Sequence, residues 1–333
     1  MRIAFAPVLL LACALTARAE DSYLVVVSGL GGEPKYSDAF YQWSVDLMGA
    51  AEKKMGVPPA HIVYLAEDPL KDAERIRDKS TRDNVKKSLA DLSSKVRPGD
   101  LLVLVLFGHG SVEGGGSRFN LPGPDLTASE LALMLDDFNA QKVAVVNCAS
   151  ASGDFVPALS GKNRVVVTAT KTGVERNETV FGKYFVEAFT GDGADTDKDH
   201  RVSILEAFQY AKDQVARFYE EGKRLQTEHA VLDDNGDGKG STSVAESKNG
   251  DGAAARALAL FGGASSRGPE AGGDPRLVAL FQEKRDLEDR IELLKQTKDS
   301  LATAAYEEEL ERLLVELALK SRAIQTLQEK RPE

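Results

Sequence analysis

Cysteine is scarce in this sequence, which contains Cys13 and Cys148 among its 333 residues. Cys13 lies in an apolar amino-terminal stretch that has the pattern of a cleaved leader, so Cys148 would be the one thiol of the mature chain. A single cysteine excludes an intramolecular disulfide, even in a compartment where disulfides form. Cys148 is therefore expected either to be buried or to be retained for its reactivity.

Long apolar runs are missing after the first 19 residues. The longest one, Leu101–Phe107, has the length of a strand and is far shorter than the ~20 residues of a membrane-spanning helix. Residues 1–19 combine a basic residue, an apolar stretch and the small-residue motif Ala17-Arg18-Ala19, which is the pattern of a secretory signal peptide. We therefore expect no transmembrane segment and a periplasmic or secreted protein. A lipoprotein anchored through Cys13 is the alternative.

Clusters of basic residues are also missing, and the net charge of the chain is −10. Nucleic-acid-binding domains usually carry a concentrated positive surface. Nucleic acid is therefore not expected as a partner. The length allows one sizeable core with an appendage.

What the sequence does contain is an alternation of apolar runs and helical stretches between residues 23 and 219. The predicted strands are Tyr23–Ser28, His61–Leu65, Leu101–Phe107, Lys142–Asn147 and Arg164–Ala169. The predicted helices are Ser37–Lys54, Thr81–Val96, Thr127–Phe138, Thr179–Phe189 and Ile204–Tyr219, and Thr127 with Glu130 forms a capping box. Repeated β-α-β order favours an α/β three-layer sandwich with a mainly parallel sheet between two layers of helices.

Two of the predicted strands end in residues that can carry chemistry. One runs into His109 and Gly110, and the next along the chain runs into Cys148. Functional residues of parallel sheets collect beyond the carboxyl ends of the strands, so neighbouring strands would bring the imidazole and the thiol together. A neighbouring imidazole can take the proton of a thiol, whose free pKa is about 8.5.

This pattern resembles the caspase/legumain-like (clan CD) cysteine peptidases, and in particular their bacterial legumain-like branch. The strand that ends in His109-Gly110-Ser111 and the later strand that ends in Cys148 both match that family. The resemblance covers roughly the first 190 residues of the mature chain, and the peptidase domain is assigned to residues 20–232. It implies that Cys148 is the nucleophile, that His109 is the general base, and that the backbone amides of Gly110 and Cys148 form the oxyanion hole. It also implies hydrolysis of peptide or protein substrates through an acyl-enzyme intermediate without a cofactor.

The chain departs from the family pattern around the cysteine. Val146-Asn147 stands where legumains have an acidic residue and alanine, and the distance from Cys148 to Ser152-Gly153 is two residues longer. No G-x-S-x-G elbow surrounds Ser150 or Ser152, so Cys148 is the preferred nucleophile. The alternative function is a catalytically inactive caspase-like binding or scaffold module, in which Cys148 only packs.

An acidic segment at residues 195–206 follows the pattern of an EF-hand calcium loop, although His200 replaces the usual glycine. Its predicted ligands are Asp195, Asp197, Asp199, the carbonyl of Arg201, Ser203 and Glu206. We expect calcium to stabilise the fold rather than to take part in catalysis. Asp233–Gly238 is similar, but Val244 stands where the loop needs glutamate.

The composition changes after residue 232. Residues 233–274 are rich in Gly, Ala and Asp and are predicted to be a linker. Residues 275–333 carry leucine every seven residues from Leu280 to Leu301, with a slip in register before Leu310. This repeat predicts a coiled coil and a homo-oligomer, or two helices folded into a hairpin that packs within the chain.

Overall fold

A seven-stranded sheet forms the centre of the computed structural model. The structure describes residues 20–139, 141–199, 201–244, 250–260 and 303–329, together with some residues between 276 and 294. The predicted signal peptide lies outside the described residues. Within them, no helix is long and apolar enough to cross a membrane.

The described part contains the predicted alternation of strands and helices, with additional strands between Leu101–Phe107 and the helix that starts at Ala128. The strands are β1 Ser22–Ser28, β2 Ile62–Ala66, β3 Asp78–Lys79, β4 Leu101–Phe107, β5 Gly110–Glu113, β6 Gly116–Phe119, β7 Leu126–Thr127, β8 Lys142–Asn147, β9 Arg164–Thr168 and β10 Val231–Asp233. The helices are α1 Pro34–Lys53, α2 Arg82–Ser93, α3 Ala128–Leu135, α4 Phe155–Leu159, α5 Phe181–Thr190, α6 Ile204–Glu221, α7 Ala253–Ala257 and α8 Thr303–Glu329. The capping box of Thr127 and Glu130 is confirmed at the start of α3.

The order of the strands in the large sheet is β10-β9-β8-β4-β1-β2-β3. Every pair is parallel except β10 and β9, which are antiparallel. The prediction of a mainly parallel α/β sheet is therefore confirmed. Because β4 and β8 are neighbours in register, with Leu106 opposite Asn147, the segments that follow them leave the same edge side by side.

Two apolar layers bury the two faces of the sheet. Residues of α1, α5, α6 and α7 pack on one face, and residues of α2, α3 and α4 pack on the other. The strands are buried on both faces, which explains their continuous Val/Leu/Ile character. This three-layer arrangement fixes the position of each strand end and hence of the candidate site.

A second sheet, in the order β5-β6-β7, covers the end of β4. Phe119 of this sheet is fully buried, and an added Cβ on Gly108 would lie 2.7 Å from its ring. The amide of Leu30, after β1, donates to the carbonyl of Asn120 at 3.0 Å. The turn that contains His109 and Gly110 is consequently held under a small antiparallel sheet that the sequence did not predict.

The packed domain continues beyond residue 232, where the sequence predicted a linker. Leu258 and Leu260 are buried in the core with α6, and the amide of Ile204 donates to the carbonyl of Leu258 at 2.8 Å. Asp234 accepts hydrogen bonds from the amides of Gly252 and Ala255, each at 2.8 Å. In the described part of the predicted linker, residues 233–244 and 250–260, carboxylates that accept backbone amides therefore hold the glycine-rich backbone against the domain.

The carboxyl-terminal leucines make intrachain contacts. Leu277 packs with Ile324, and Leu287 and Ile291 pack with Leu313, so the described residues between 277 and 294 run antiparallel to α8. Lys320 Nζ lies 2.5 Å from a carboxylate oxygen of Glu283. These contacts fit the hairpin alternative of the sequence prediction, and a coiled coil between chains stays a prediction.

Candidate functional site

The structure places His109 and Cys148 at the same edge and on the same face of the large sheet. Each follows the last residue of its strand, β4 or β8, within two positions. Cys148 belongs to the apolar layer formed with α1, α5 and α6, and the His109 ring contacts Phe40 of α1, which belongs to the same layer. The predicted dyad residues are thus neighbours in the fold.

The thiol of Cys148 is turned into the core. The residue is 2% exposed, and the missing side chain of Gly182 makes room for it, since an added Cβ there would lie 3.1 Å from the Cβ of Cys148. Its carbonyl accepts the hydroxyl of Thr179 at 2.6 Å. Burial, reinforced by the negative charge of Glu228, raises the pKa of the Cys148 thiol well above its ordinary value. The thiol is therefore protonated at neutral pH, whereas catalysis by a cysteine requires the thiolate.

His109 is half-buried in an aromatic setting. Its ring centre lies 4.6 Å from that of Tyr36 and 5.3 Å from that of Phe40, both in edge-on geometry. Burial lowers the pKa of His109, so the imidazole is neutral at pH 7. The Tyr36 hydroxyl donates to Glu178. Among the described residues no hydrogen bond joins His109 to Cys148, and the catalytic dyad stays a prediction.

The two amides predicted to form an oxyanion hole both have partners inside the protein. The amide of Cys148 donates to the carbonyl of Leu106 at 2.9 Å, which continues the ladder between β4 and β8. The amide of Gly110 donates to Ser150 Oγ at 3.1 Å. A substrate oxygen would have to displace these acceptors before either amide could stabilise an oxyanion.

Ser150 is the residue that sequence reasoning set aside and that the structure brings to the site. Its hydroxyl accepts the amide of Gly110 and lies 3.3 Å from the carbonyl of the same residue. The next residue, Ala151, has φ +50°, a region that costs free energy for a residue with a side chain. The sequence did contain a signal for Ser150. The distance from Cys148 to Ser152-Gly153 is two residues longer than in the family pattern, whereas the distance from Ser150 is not.

A cavity of about 540 Å³ opens beside the candidate site. Its lining includes Tyr36, which touches His109, and Val180, which precedes α5. The guanidinium groups of Arg176 and Arg224 also line it, and neither has a carboxylate partner in the described part of the chain. Arg224 stacks 4.6 Å above the ring of Phe218. The cavity therefore combines two arginines, the acidic residue Glu178 and aromatic surface.

Glu228 lies beneath this cavity and is 1% exposed. Its carboxylate accepts the amides of Val180 at 2.8 Å and Phe181 at 3.1 Å, and so caps the start of α5. Burial raises the pKa of Glu228 to about 7, although these two amides oppose the shift. Glu228 thereby anchors the end of the loop that carries Arg176 and Glu178.

The acidic loop at residues 195–206 gathers three of its predicted ligands. Oxygen atoms of Asp195, Asp197 and Asp199 lie within 4.8 Å of one another. Burial, together with the charge of Asp197, raises the pKa of Asp199 to about 6. Hard carboxylate oxygens at this spacing fit a calcium ion.

The remaining predicted calcium ligands have backbone partners. Glu206 accepts the amides of Thr196 at 2.8 Å and Ser203 at 2.9 Å. Ser203 caps α6 through its hydroxyl, so both residues act as helix-capping groups in this structure. The backbone amide of Arg201, two residues after Asp199, donates to a carboxylate oxygen of Asp199 at 2.8 Å. In the second acidic segment, Asp233 accepts the amides of Gly236 and Gly238.

Comparison with known proteins gives no family assignment. No protein-family profile matches the chain, and no curated protein matches it in sequence. Among solved structures, the protein GSU0716 from Geobacter sulfurreducens is similar with a TM-score of 0.42 and 11% identity, over 64% of this chain and 92% of that one. Caspase-1 from Spodoptera frugiperda is similar with a TM-score of 0.43 and 10% identity, over 70% of this chain and 94% of that one.

Proposed function

We propose that this protein is an exported, catalytically inactive caspase-like module that binds peptides at the carboxyl-end edge of its sheet. The observation that carries the proposal is the placement of Cys148, whose thiol faces the core with a raised pKa and has no hydrogen bond to His109. A thiol acts as a nucleophile through its thiolate, and burial in an apolar layer opposes that form. Cys148 is therefore a packing residue.

The cavity beside His109 supplies the binding surface in this proposal. Arg176 and Arg224 have no acidic partner among the residues that the structure describes, and charge-assisted hydrogen bonds to carboxylates are among the strongest that a protein makes. Leu225 on the rim is 89% exposed, and Phe218 and Tyr36 provide aromatic surface. The ligand that fits this combination is a peptide with acidic and apolar side chains.

A peptide library incubated with the mature protein tests binding and cleavage together. We expect enrichment of acidic peptides without cleavage. Arg224→Ala is expected to weaken binding of an enriched, fluorescein-labelled peptide about tenfold, the effect of losing ~1.4 kcal/mol. The matched control is Arg97→Ala, which removes an exposed arginine next to the amino end of β4 and should change nothing. Cleavage products that disappear in Cys148→Ala would contradict the proposal.

The second candidate is the cysteine endopeptidase in which Cys148 attacks and His109 moves the proton. It is favoured by the position of the two residues at neighbouring strand ends on one face of the sheet. A substrate would have to rotate the thiol out of the layer beside Gly182. The library experiment separates the two candidates, because only this one predicts cleavage that depends on Cys148.

We also propose that calcium binds the loop at residues 195–206 and stabilises the domain. Asp195, Asp197 and Asp199 already converge, and Glu206 would exchange its amide partners for the ion. The ion would neutralise the repulsion among these carboxylates. Periplasm and extracellular space, the compartments proposed from residues 1–19, are consistent with a calcium-stabilised protein.

Finally, we propose that the carboxyl-terminal hairpin mediates homo-oligomerisation. Exposed apolar side chains on α8, with Leu319 62% and Val315 54% exposed, are left after the intrachain contacts. We expect the mature protein to sediment as an oligomer at micromolar concentration and Leu319→Glu to shift it toward the monomer. A monomeric mass for the unaltered protein would contradict the proposal.

A further inference from the structure

We infer that the cavity beside His109 selects a bipolar peptide, in which an acidic and a basic side chain stand two residues apart. Arg176 and Arg224 bind the acidic side chain, and Glu178 binds the basic one. The inference rests on the proposed peptide-binding function and specifies which peptides that site takes. Glu178 is then the residue that determines specificity, because it distinguishes bipolar peptides from peptides that are only acidic.

Three charged side chains that line this cavity have no ion-pair partner. Arg176, Arg224 and Glu178 are all exposed at its surface, and among the residues that the structure describes none of them forms a salt bridge. The neighbouring Lys35, by contrast, is already paired with Glu33 at 3.5 Å. A ligand that compensates the charges of the cavity must therefore carry charges of both signs.

Glu178 is held in place without being neutralised. Its carboxylate accepts the hydroxyl of Tyr36, whose ring centre lies 4.6 Å from that of His109. A carboxylate has about four lone-pair positions, so one hydroxyl leaves room for an ammonium or guanidinium group. The contact with Tyr36 thus orients Glu178, on the side of the cavity that adjoins His109, and its negative charge stays available to a ligand.

Arg224 is oriented by aromatic rings. Its guanidinium lies 4.6 Å from the ring centre of Phe218 and 5.4 Å from that of Tyr219, both in α6. Stacking occupies the face of the guanidinium and leaves the N–H groups at its edge free to donate. Those N–H groups match the two oxygens of a carboxylate, so Arg224 is suited to the acidic side chain of the peptide.

The spacing of the two charges follows from the loop that carries Arg176 and Glu178. These residues are two positions apart and both line the cavity. A two-residue step of chain spans at most about 7 Å. In an extended peptide, side chains i and i+2 point to the same side at about this distance, whereas neighbouring side chains point to opposite sides. A spacing of two residues therefore presents each charge of the peptide to its counterpart, and a spacing of one does not.

The experiment compares the affinities of defined peptide pools for the mature protein. Fluorescein-labelled heptapeptides carry Lys-Ala-Asp or Asp-Ala-Lys at the centre and apolar residues elsewhere, and matched pools carry glutamine in place of lysine. Fluorescence anisotropy gives the dissociation constants. We expect one of the two lysine pools to bind about three- to fivefold more tightly than its glutamine match, which is the range of exposed ion pairs. The preference should shrink at high salt, because exposed charges are screened.

Glu178→Gln gives the decisive comparison, since glutamine keeps an acceptor for the Tyr36 hydroxyl and removes only the charge. We expect the variant to bind the lysine pool more weakly and the glutamine pool more tightly, because the repulsion between Glu178 and the acidic side chain is also lost. A role in holding the loop would change both affinities in the same direction. Glu74→Gln is the matched control, because Glu74 is exposed and does not line the cavity.

The outcomes separate this inference from the function on which it rests. Equal binding of the lysine and glutamine pools, or a preference that survives Glu178→Gln, overturns the inference. If Arg224→Ala still weakens binding of these pools, the peptide-binding function stands. Absence of binding by every pool, or cleavage that is lost in Cys148→Ala, overturns the proposed function itself.

Discussion

Replacing Gly110 by alanine is expected to lower the free energy of unfolding by about 2–4 kcal/mol. An added Cβ would overlap the carbonyl oxygen of Ser150 and would lie 3.0 Å from the carbonyl oxygen of Arg118. Both atoms belong to backbone that is held by hydrogen bonds, so neither can move away cheaply. Urea unfolding followed by circular dichroism measures the change.

Gly116→Ala is the matched control for this substitution. Gly116 pairs with Glu113 in the same small sheet, and nothing lies within 4 Å of an added Cβ. We expect a change within about 1 kcal/mol there, because the entropy lost by the unfolded chain offsets the small cost in the strand. Equal effects of the two substitutions would show that the turn is not packed against Ser150.

Calcium is expected to raise the melting temperature of the mature protein by about 5–10 °C when its concentration is 100 times the Kd. Linkage gives about 2.7 kcal/mol at that ratio, and 1 kcal/mol shifts a domain of this size by about 2–4 °C. The cause is the group of carboxylates from Asp195, Asp197 and Asp199, which repel one another until a cation binds. Differential scanning calorimetry in calcium and in chelator measures the shift.

The substitution Asp197→Asn distinguishes a calcium ligand from a residue with only a structural role, because the two roles predict different melting temperatures in chelator and in calcium. The variant keeps a side-chain oxygen for the amide of Asp199 but removes one charge from the group. We expect it to melt higher than the unaltered protein in chelator and to lose most of the response to calcium. Asp237→Asn, in the second acidic segment, should keep that response. Identical melting in calcium and chelator would rule out a site at residues 195–206.

The strands and most helices could be predicted because their signals are local. The run Leu101–Phe107 is apolar at every position, as expected for a parallel strand buried on both faces, and Thr127 with Glu130 marks a helix start through contacts three residues apart. Their order along the chain then favours right-handed crossovers and a mainly parallel sheet. No information about distant residues is needed for these steps.

The small antiparallel sheet and the packing of residues 233–244 and 250–260 could not be predicted in this way. Strands β5 and β6 are short and polar and are joined at Gly114 and Gly115, both with positive φ, so they look like a loop. Residues after 232 look like a linker because glycine dominates. Their order comes from Asp234, whose carboxylate accepts amides 18 and 21 residues away.

The sequence by itself determined the α/β architecture and the sheet edge that carries His109 and Cys148, because strand ends and the order of elements have local signals in the sequence. Only the tertiary structure decided the direction of each side chain beyond its strand end. Packing of α1 and α5 against one face buries the thiol of Cys148 beside Gly182, and the strained turn at Ala151 carries Ser150 to the amide of Gly110. The direction of a side chain beyond a strand end depends on the turn and on the layer that covers it, and both are set by residues distant in sequence.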